Sequence, residues 1–152
     1  MIVNIRRRGR ALVRAIGLAL AISGCTLDLG AAEPARVDRA AAESYLAALQ
    51  AAQQDALDLW ARLIAGEEVS CAEAIPVPTP PAGRAETPQA EPVLDRLSAA
   101  RSALEQSAAR WDLECATGGA MVGLDAARVG QDAARSATEP LQTAQALIAA
   151  WR

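Results

Sequence analysis

Cysteine is the most reactive residue type in this chain. The sequence holds three cysteines, Cys25, Cys71 and Cys115, and contains neither histidine nor lysine. The chain therefore lacks the base of Ser-His-Asp and Cys-His systems, the amine of Schiff-base enzymes and the lysine of phosphate-binding loops. Isolated cysteines in a chain without histidine are also too few to supply the usual four ligands of a structural zinc site. We expect no catalytic residue, no metal and no cofactor.

Carboxylates are the remaining candidates for acid and base chemistry. Glu67 adjoins Glu68, and Asp112 lies two positions from Glu114. Neighbouring helical positions point in different directions, so neither pair is expected to converge on one reacting atom. We interpret these acids as solvated surface. The alternative is an enzyme that uses carboxylates alone, which a concave pocket with two converging acids would favour.

The first 24 residues have the pattern of an export signal. Residues 1–14 contain five arginines and no acid, and a short apolar run follows over 15–22. This run is shorter than the roughly 20 apolar residues that a membrane-spanning helix needs. A basic segment followed by a short apolar one is typical of a secretory signal peptide.

A cysteine motif ends the signal. Ile22-Ser23-Gly24-Cys25 is an aliphatic residue, two small residues and a cysteine, and it resembles the lipobox of bacterial lipoproteins. The resemblance covers only residues 1–25. It implies that the chain is cut before Cys25 and that the Cys25 thiol carries a diacylglyceryl group, with two or three acyl chains such as palmitate, enough for stable membrane attachment. The alternative is an ordinary secreted protein in which Cys25 is a spare thiol.

The same resemblance bears on the destination and the partners. An Asp after the lipidated cysteine retains such proteins in the inner membrane, so Thr26 implies the outer membrane or periplasmic face of a diderm cell, or the surface of a monoderm cell. Without residues 1–24 the chain has ten arginines against eighteen acids, a net charge of −8. This charge opposes binding to nucleic acid, which is a polyanion. The expected partners are the membrane, through the lipid, and a protein that the sequence does not identify.

The rest of the chain divides into a tether over 25–34 and one helical domain over 35–152. Apolar periodicity predicts helices over 35–71, 92–116 and 119–151, and the prolines of 72–91 predict a linker without helix. The predicted fold is all-α: a three-helix bundle whose third helix is kinked near Pro140, with Thr138 as a cap for its second half. The third helix carries an apolar stripe that includes Val129, and small residues such as Gly130 that allow close packing.

Cysteine parity predicts the topology. If lipid occupies Cys25, Cys71 and Cys115 remain as a pair in a compartment that permits disulfides. They follow the C-terminal ends of helices one and two, which a short hairpin would hold about 36 Å apart, whereas a disulfide needs Cα atoms within about 7 Å. The linker is therefore predicted to cross back along the bundle and make the two helices parallel. Two free thiols, or a bridge between chains, are the alternatives.

The four aromatic residues, Tyr45, Trp60, Trp111 and Trp151, lie on or beside apolar stripes. We expect them to pack in the core. The alternative is that Trp151, beside the C-terminus, marks an exposed docking patch for a partner.

These observations favour a lipid-anchored cell-envelope protein with a binding or structural role and no enzymatic activity. The alternative is an envelope spacer or oligomeric coiled-coil-like lipoprotein, similar to the small murein lipoprotein. That protein is attached to peptidoglycan through a C-terminal Lys, whereas this chain ends in Trp151-Arg152 and has no lysine. The Pro-rich linker also interrupts any continuous coiled coil.

Overall fold

In a computed structural model of the chain, residues 36–85, 87–117 and 122–152 are described. They belong to the compact unit Glu33–Arg152. The signal, Cys25 and the tether lie outside the described residues, as does the predicted start of the third helix at 119. The elements in chain order are β1 (Arg36–Val37), α1 (Arg39–Ile64), β2 (Arg84–Ala85), α2 (Ala90–Ala116), α3 (Leu124–Arg135) and α4 (Thr138–Ala150). The prediction of an all-α fold is confirmed in its coarse form, with two two-residue strands added.

Local capping sets the bounds of α1. The Asp38 carboxylate accepts a hydrogen bond from the backbone N–H three residues on, at 2.8 Å, and so begins the helix. Gly66 adopts a φ of +84°, and the Glu67 N–H donates to the Arg62 carbonyl at 3.0 Å, which closes the helix in a Schellman motif. The predicted helix over 35–71 is therefore too long at both ends.

The crossover between α1 and α2 is present. β1 pairs in parallel with β2, so that Arg36 lies opposite Arg84. Since β1 directly precedes α1 and β2 leads into α2, both helices begin at the same end of the domain. At the other end Cys71 and Cys115 are joined in a disulfide, with their Cα atoms 5.6 Å apart. The two helices run in the same direction, and the linker returns along them.

The third predicted helix is divided in two. α3 ends at Arg135 and α4 begins at Thr138, so the described residues hold four helices. Pro140 lies in the first turn of α4, where its missing N–H leaves no intrahelical bond unmade. Thr138 is not the cap that the sequence predicts, because Ala137 precedes the helix without a side-chain cap bond. The Thr138 hydroxyl instead accepts a hydrogen bond from Gln53 Nε2 at 2.8 Å.

The core consists of two clusters. The N-terminal core cluster joins the first halves of α1 and α2 to α4, and the tryptophan cluster joins their second halves to the linker and α3. The N-terminal core cluster contains Ala42, Tyr45, Leu46, Leu49, Ala52, Ala90, Val93, Leu97, Ala100, Ala103, Leu104, Ala137, Leu141, Ala144, Ile148 and Trp151. The tryptophan cluster contains Ala56, Leu59, Trp60, Ile75, Trp111, Ala127 and Ala134. All four aromatic residues are buried, which confirms their predicted core role.

A hydrogen-bond chain crosses the tryptophan cluster. The Trp60 Nε1–H donates to Ser107 Oγ at 2.9 Å, and the Ser107 hydroxyl donates to the Gly130 carbonyl at 3.0 Å. The Trp60 ring meets the Trp111 ring edge to face, with centroids 5.7 Å apart. These hydrogen bonds link α1, α2 and α3, and they satisfy the hydroxyl of Ser107, which is fully buried.

Gly130 decides which face of α3 is buried. A Cβ atom there would lie 2.2 Å from the Trp60 ring, so only glycine fits against the indole. Val129, placed on the apolar stripe by periodicity, is instead 58% exposed. The predicted stripe is therefore wrong at Val129, whereas Ala126 is buried as predicted. The close packing predicted at Gly130 is present, but the group that approaches it is the Trp60 ring and not a neighbouring backbone.

Candidate functional site

The structure brings Cys71 and Cys115 together and leaves Cys25 outside the described residues. The start of the linker is held at several points beyond this bridge. Trp111 Nε1–H donates to the Glu73 carbonyl at 2.7 Å, Arg62 pairs with the Glu73 carboxylate, and Ile75 is buried. The disulfide therefore belongs to a rigid junction between the linker and the helices.

The alternative of an exposed docking patch at Trp151 is wrong. Its side chain is only 6% exposed and lies in the N-terminal core cluster. The Arg39 guanidinium donates from Nη1 to the Trp151 carbonyl at 2.8 Å, which ties the end of the chain to the start of α1. The large ring is buried because it extends the apolar stripe of α4 beyond Ile148.

An acidic groove lies between the second half of α1 and the linker. Its volume is about 520 Å³, and its walls include Asp55, Asp58, Arg62 and Glu73. Gln54 Nε2 donates to Asp58 at 2.8 Å, and Arg62 pairs with Glu73. Within the described ranges, no group of three or more cysteine or acidic side chains is arranged to hold a metal ion. Asp58, Arg62 and Glu73 therefore already have partners, and we interpret the groove as solvated surface.

A second cavity lies towards the opposite end of the domain, where the linker passes over the first halves of α1 and α2. We call it the Tyr45 cavity. Its volume is about 200 Å³, and it is lined by Val37, Tyr45, Pro80, Pro81, Gly83, Leu94, Ser98 and Arg101. Gly83 has a φ of +131°, a conformation that glycine allows and that leads the chain from the prolines into β2. The wall is mostly apolar, with a few polar groups among the apolar ones, as in small-molecule sites.

Two residues that line the Tyr45 cavity each have a buried polar atom without a protein partner. Tyr45 is 7% exposed, and its hydroxyl is buried without a hydrogen-bond partner. Arg101 Nε is likewise buried without a partner, although Arg101 Nη2 lies 2.7 Å from Glu105 Oε1. Buried donors are nearly always satisfied, by protein or by something else, so two in one cavity call for an explanation.

Burial favours the protonated form of the Tyr45 phenol. Burial raises the pKa of the Tyr45 hydroxyl above its ordinary value of 10.0, the Arg101 guanidinium opposes this rise, and the Glu105 carboxylate adds to it. At neutral pH the Tyr45 hydroxyl is therefore neutral and able to donate. The Arg101 guanidinium is always charged and can only donate. The two unpartnered groups beside the cavity can therefore both donate a hydrogen bond, which suits an acceptor group.

Sequence reasoning missed this cavity. Tyr45 is the only tyrosine of the chain and lies on the apolar stripe of α1, which pointed to core packing alone. Arg101 lies beside the apolar stripe of α2, and nothing in the sequence distinguishes it from the other arginines. No local signal could have paired them, because the prolines that close the cavity come from the returning linker.

Comparisons of this chain with protein-family models, with curated proteins and with solved structures find no match. Across the ranges that the structure describes, no helix combines the length and apolar character needed to span a bilayer.

Proposed function

We propose that this chain is a bacterial lipoprotein exported to the cell envelope, anchored by lipid on Cys25, and that its helical domain acts by binding rather than by catalysis. The observation that carries the proposal is the Cys71–Cys115 disulfide. Disulfides persist in oxidising compartments outside the cytosol, so the bridge supports export independently of the N-terminal signal.

The disulfide also supports the assignment of Cys25. It uses two of the three cysteines, so that Cys25 is left over at the end of the lipobox-like motif. Each buried methylene of an acyl chain contributes about 0.8 kcal/mol, so the two or three chains of a lipoprotein give stable attachment. In a diderm cell, Thr26 favours the outer membrane over retention in the inner membrane, and a monoderm cell would carry the protein at its surface.

A binding role is favoured over a catalytic one by the side chains available. The sequence offers neither an imidazole nor an amine side chain, and the carboxylates of the acidic groove are partnered or dispersed. The Tyr45 cavity, in contrast, has a mostly apolar wall that includes two residues with a buried, unpartnered polar atom.

The packing bears on the spacer alternative. We infer that the domain is a three-helix bundle in which α3 and α4 together form the third helix, kinked at the turn before Pro140. The apolar stripes of these helices are buried against one another within a single chain. Leu113, Leu124 and Val129, the large exposed apolar side chains of the described part, do not form a heptad seam. This favours a binding domain over a coiled-coil spacer.

The test is the intact mass of the protein extracted from cells, together with radiolabelled palmitate incorporation and membrane fractionation. We expect a chain that lacks residues 1–24, carries acyl groups and sediments with membranes. Two cysteines should become alkylated only after reduction. Cys25→Ser should lose label and membrane association and keep the disulfide.

The matched control is the double variant Cys71→Ser/Cys115→Ser, which should keep both label and membrane association. A wild-type chain without lipid, or one cleaved elsewhere, would refute the anchor. Two freely alkylated thiols in the native protein would remove the support that the disulfide gives to export.

A further inference from the structure

We propose that the Tyr45 cavity binds an organic carboxylate, either a small free acid or the C-terminal carboxylate of a peptide. The carboxylate would accept hydrogen bonds from the Tyr45 hydroxyl and Arg101 Nε. The proposal deepens the binding role proposed above by assigning a site and a ligand class. It does not depend on lipid at Cys25.

The donors define the polar half of the ligand. The Tyr45 hydroxyl and Arg101 Nε are both buried, both lack a protein partner and belong to residues that line one cavity. A group that satisfies both must supply two acceptor positions, and a carboxylate does so with its two oxygens.

Charge favours a carboxylate over a neutral amide. Glu105 offsets part of the Arg101 charge from the exposed side of the α2 helix. Arg101 is nevertheless the one charged residue among those that line the cavity, and its guanidinium attracts an anion more than a neutral group.

The wall defines the rest of the ligand. Val37, Leu94, Pro80 and Pro81 provide apolar surface, and the volume of about 200 Å³ admits a short aliphatic group. The linker that carries the prolines is held at one end by the disulfide and at the other by β2. A wall held at both ends and stiffened by proline is formed before the ligand arrives, so little entropy is lost in closing it.

The single tyrosine provides a specific readout. The full-length protein is labelled with [¹³C]tyrosine and purified from the cell fraction that contains it. Its NMR spectrum has one set of tyrosine ring signals, because the chain has one tyrosine. We would titrate it with isobutyrate and, separately, with N-acetyl-alanyl-alanine, each compared with its neutral amide. We expect a saturable shift with at least one carboxylate and binding at least about tenfold weaker for its amide. Isobutyrate against the peptide distinguishes a free acid from a peptide terminus.

Two arginines of α2 form a matched pair of variants. Arg101 pairs with Glu105, and Arg110 pairs with Glu114, each at 2.7 Å and with the same spacing. Both have a buried, unpartnered Nε, but only Arg101 lines the Tyr45 cavity. Arg101→Gln should weaken carboxylate binding about tenfold or more, whereas Arg110→Gln should leave it unchanged. Tyr45→Phe removes the tyrosine signal, so its binding is measured by titration calorimetry. This variant should bind the carboxylate more weakly and keep the helical circular dichroism of the wild type.

Three results would overturn the proposal: no saturable shift with either carboxylate at millimolar concentration, equal binding of acid and amide, or equal effects of Arg101→Gln and Arg110→Gln. The first would mean that solvent alone satisfies the two donors. An unlipidated chain that binds carboxylate would refute the proposed anchor and leave this site standing. A lipidated chain that fails to bind would refute this site alone.

Discussion

The contact between Gly130 and Trp60 makes the packing of α3 testable by a single methyl group. In Gly130→Ala, the new Cβ atom would lie 2.2 Å from the Trp60 ring, whereas carbon atoms in contact prefer about 3.5–4.0 Å. Either α3 retreats by more than about 1 Å or the indole moves. A retreat also breaks the 3.0 Å hydrogen bond from Ser107 to the Gly130 carbonyl.

The magnitude follows from three opposing contributions. Overpacking costs about 1–3 kcal/mol, and the lost hydrogen bond costs about 1 kcal/mol. Replacing a mid-helix glycine by alanine returns about 1 kcal/mol. The free energy of unfolding should therefore fall by about 1–3 kcal/mol, and Tm by roughly 4 °C for each kcal/mol in a domain of this size.

Urea and thermal denaturation, followed by far-UV circular dichroism, measure this loss. Gly123→Ala is the control, because nothing lies within 4 Å of its Cβ position and only a weak helix cap changes. In the Trp60→Phe background, which removes the part of the indole that clashes, Gly130→Ala should cost less than it does alone. A Gly130→Ala protein at least as stable as the wild type would refute the packing of α3 on Trp60.

The other predictions concern the disulfide, the tyrosine and the end of the chain. Cys71→Ser/Cys115→Ser opens a loop with a sequence separation of 44 and should lower the free energy of unfolding by about 2–4 kcal/mol in urea, with unchanged helix content in water. Because the pKa of Tyr45 is raised in the folded state, its contribution to stability is complete below pH 10 and should fall as the pH rises through the folded-state pKa. The absorbance of the phenol at 295 nm should therefore titrate above pH 10.0, and Tyr45→Phe should remove this part of the pH dependence. Trp151→Ala should cost about 3–5 kcal/mol by calorimetry, because the ring is buried; a loss below about 1 kcal/mol would match an exposed residue instead.

Periodicity and covalent constraint are the features that could be predicted. The stripes of α1 and α2 follow from the helical repeat, which places residues three and four apart on one face whatever lies opposite them. The parallel arrangement of these helices follows from the reach of a disulfide between Cys71 and Cys115, since no short hairpin brings those ends together.

Other features depend on residues that meet only in the folded chain. Helical periodicity alone does not tell whether Val129 or its neighbour Gly130 is buried. The Trp60 ring, which comes from another helix, packs on Gly130 and leaves Val129 exposed. The Trp151 carbonyl accepts a hydrogen bond from Arg39, 112 residues earlier in the chain, and no local pattern pairs these two residues. The Tyr45 cavity needs α1, α2 and the returning linker at once. A linear pattern records which residues share an element, whereas the fit between elements depends on side-chain shape and on hydrogen bonds that close only when the elements are packed.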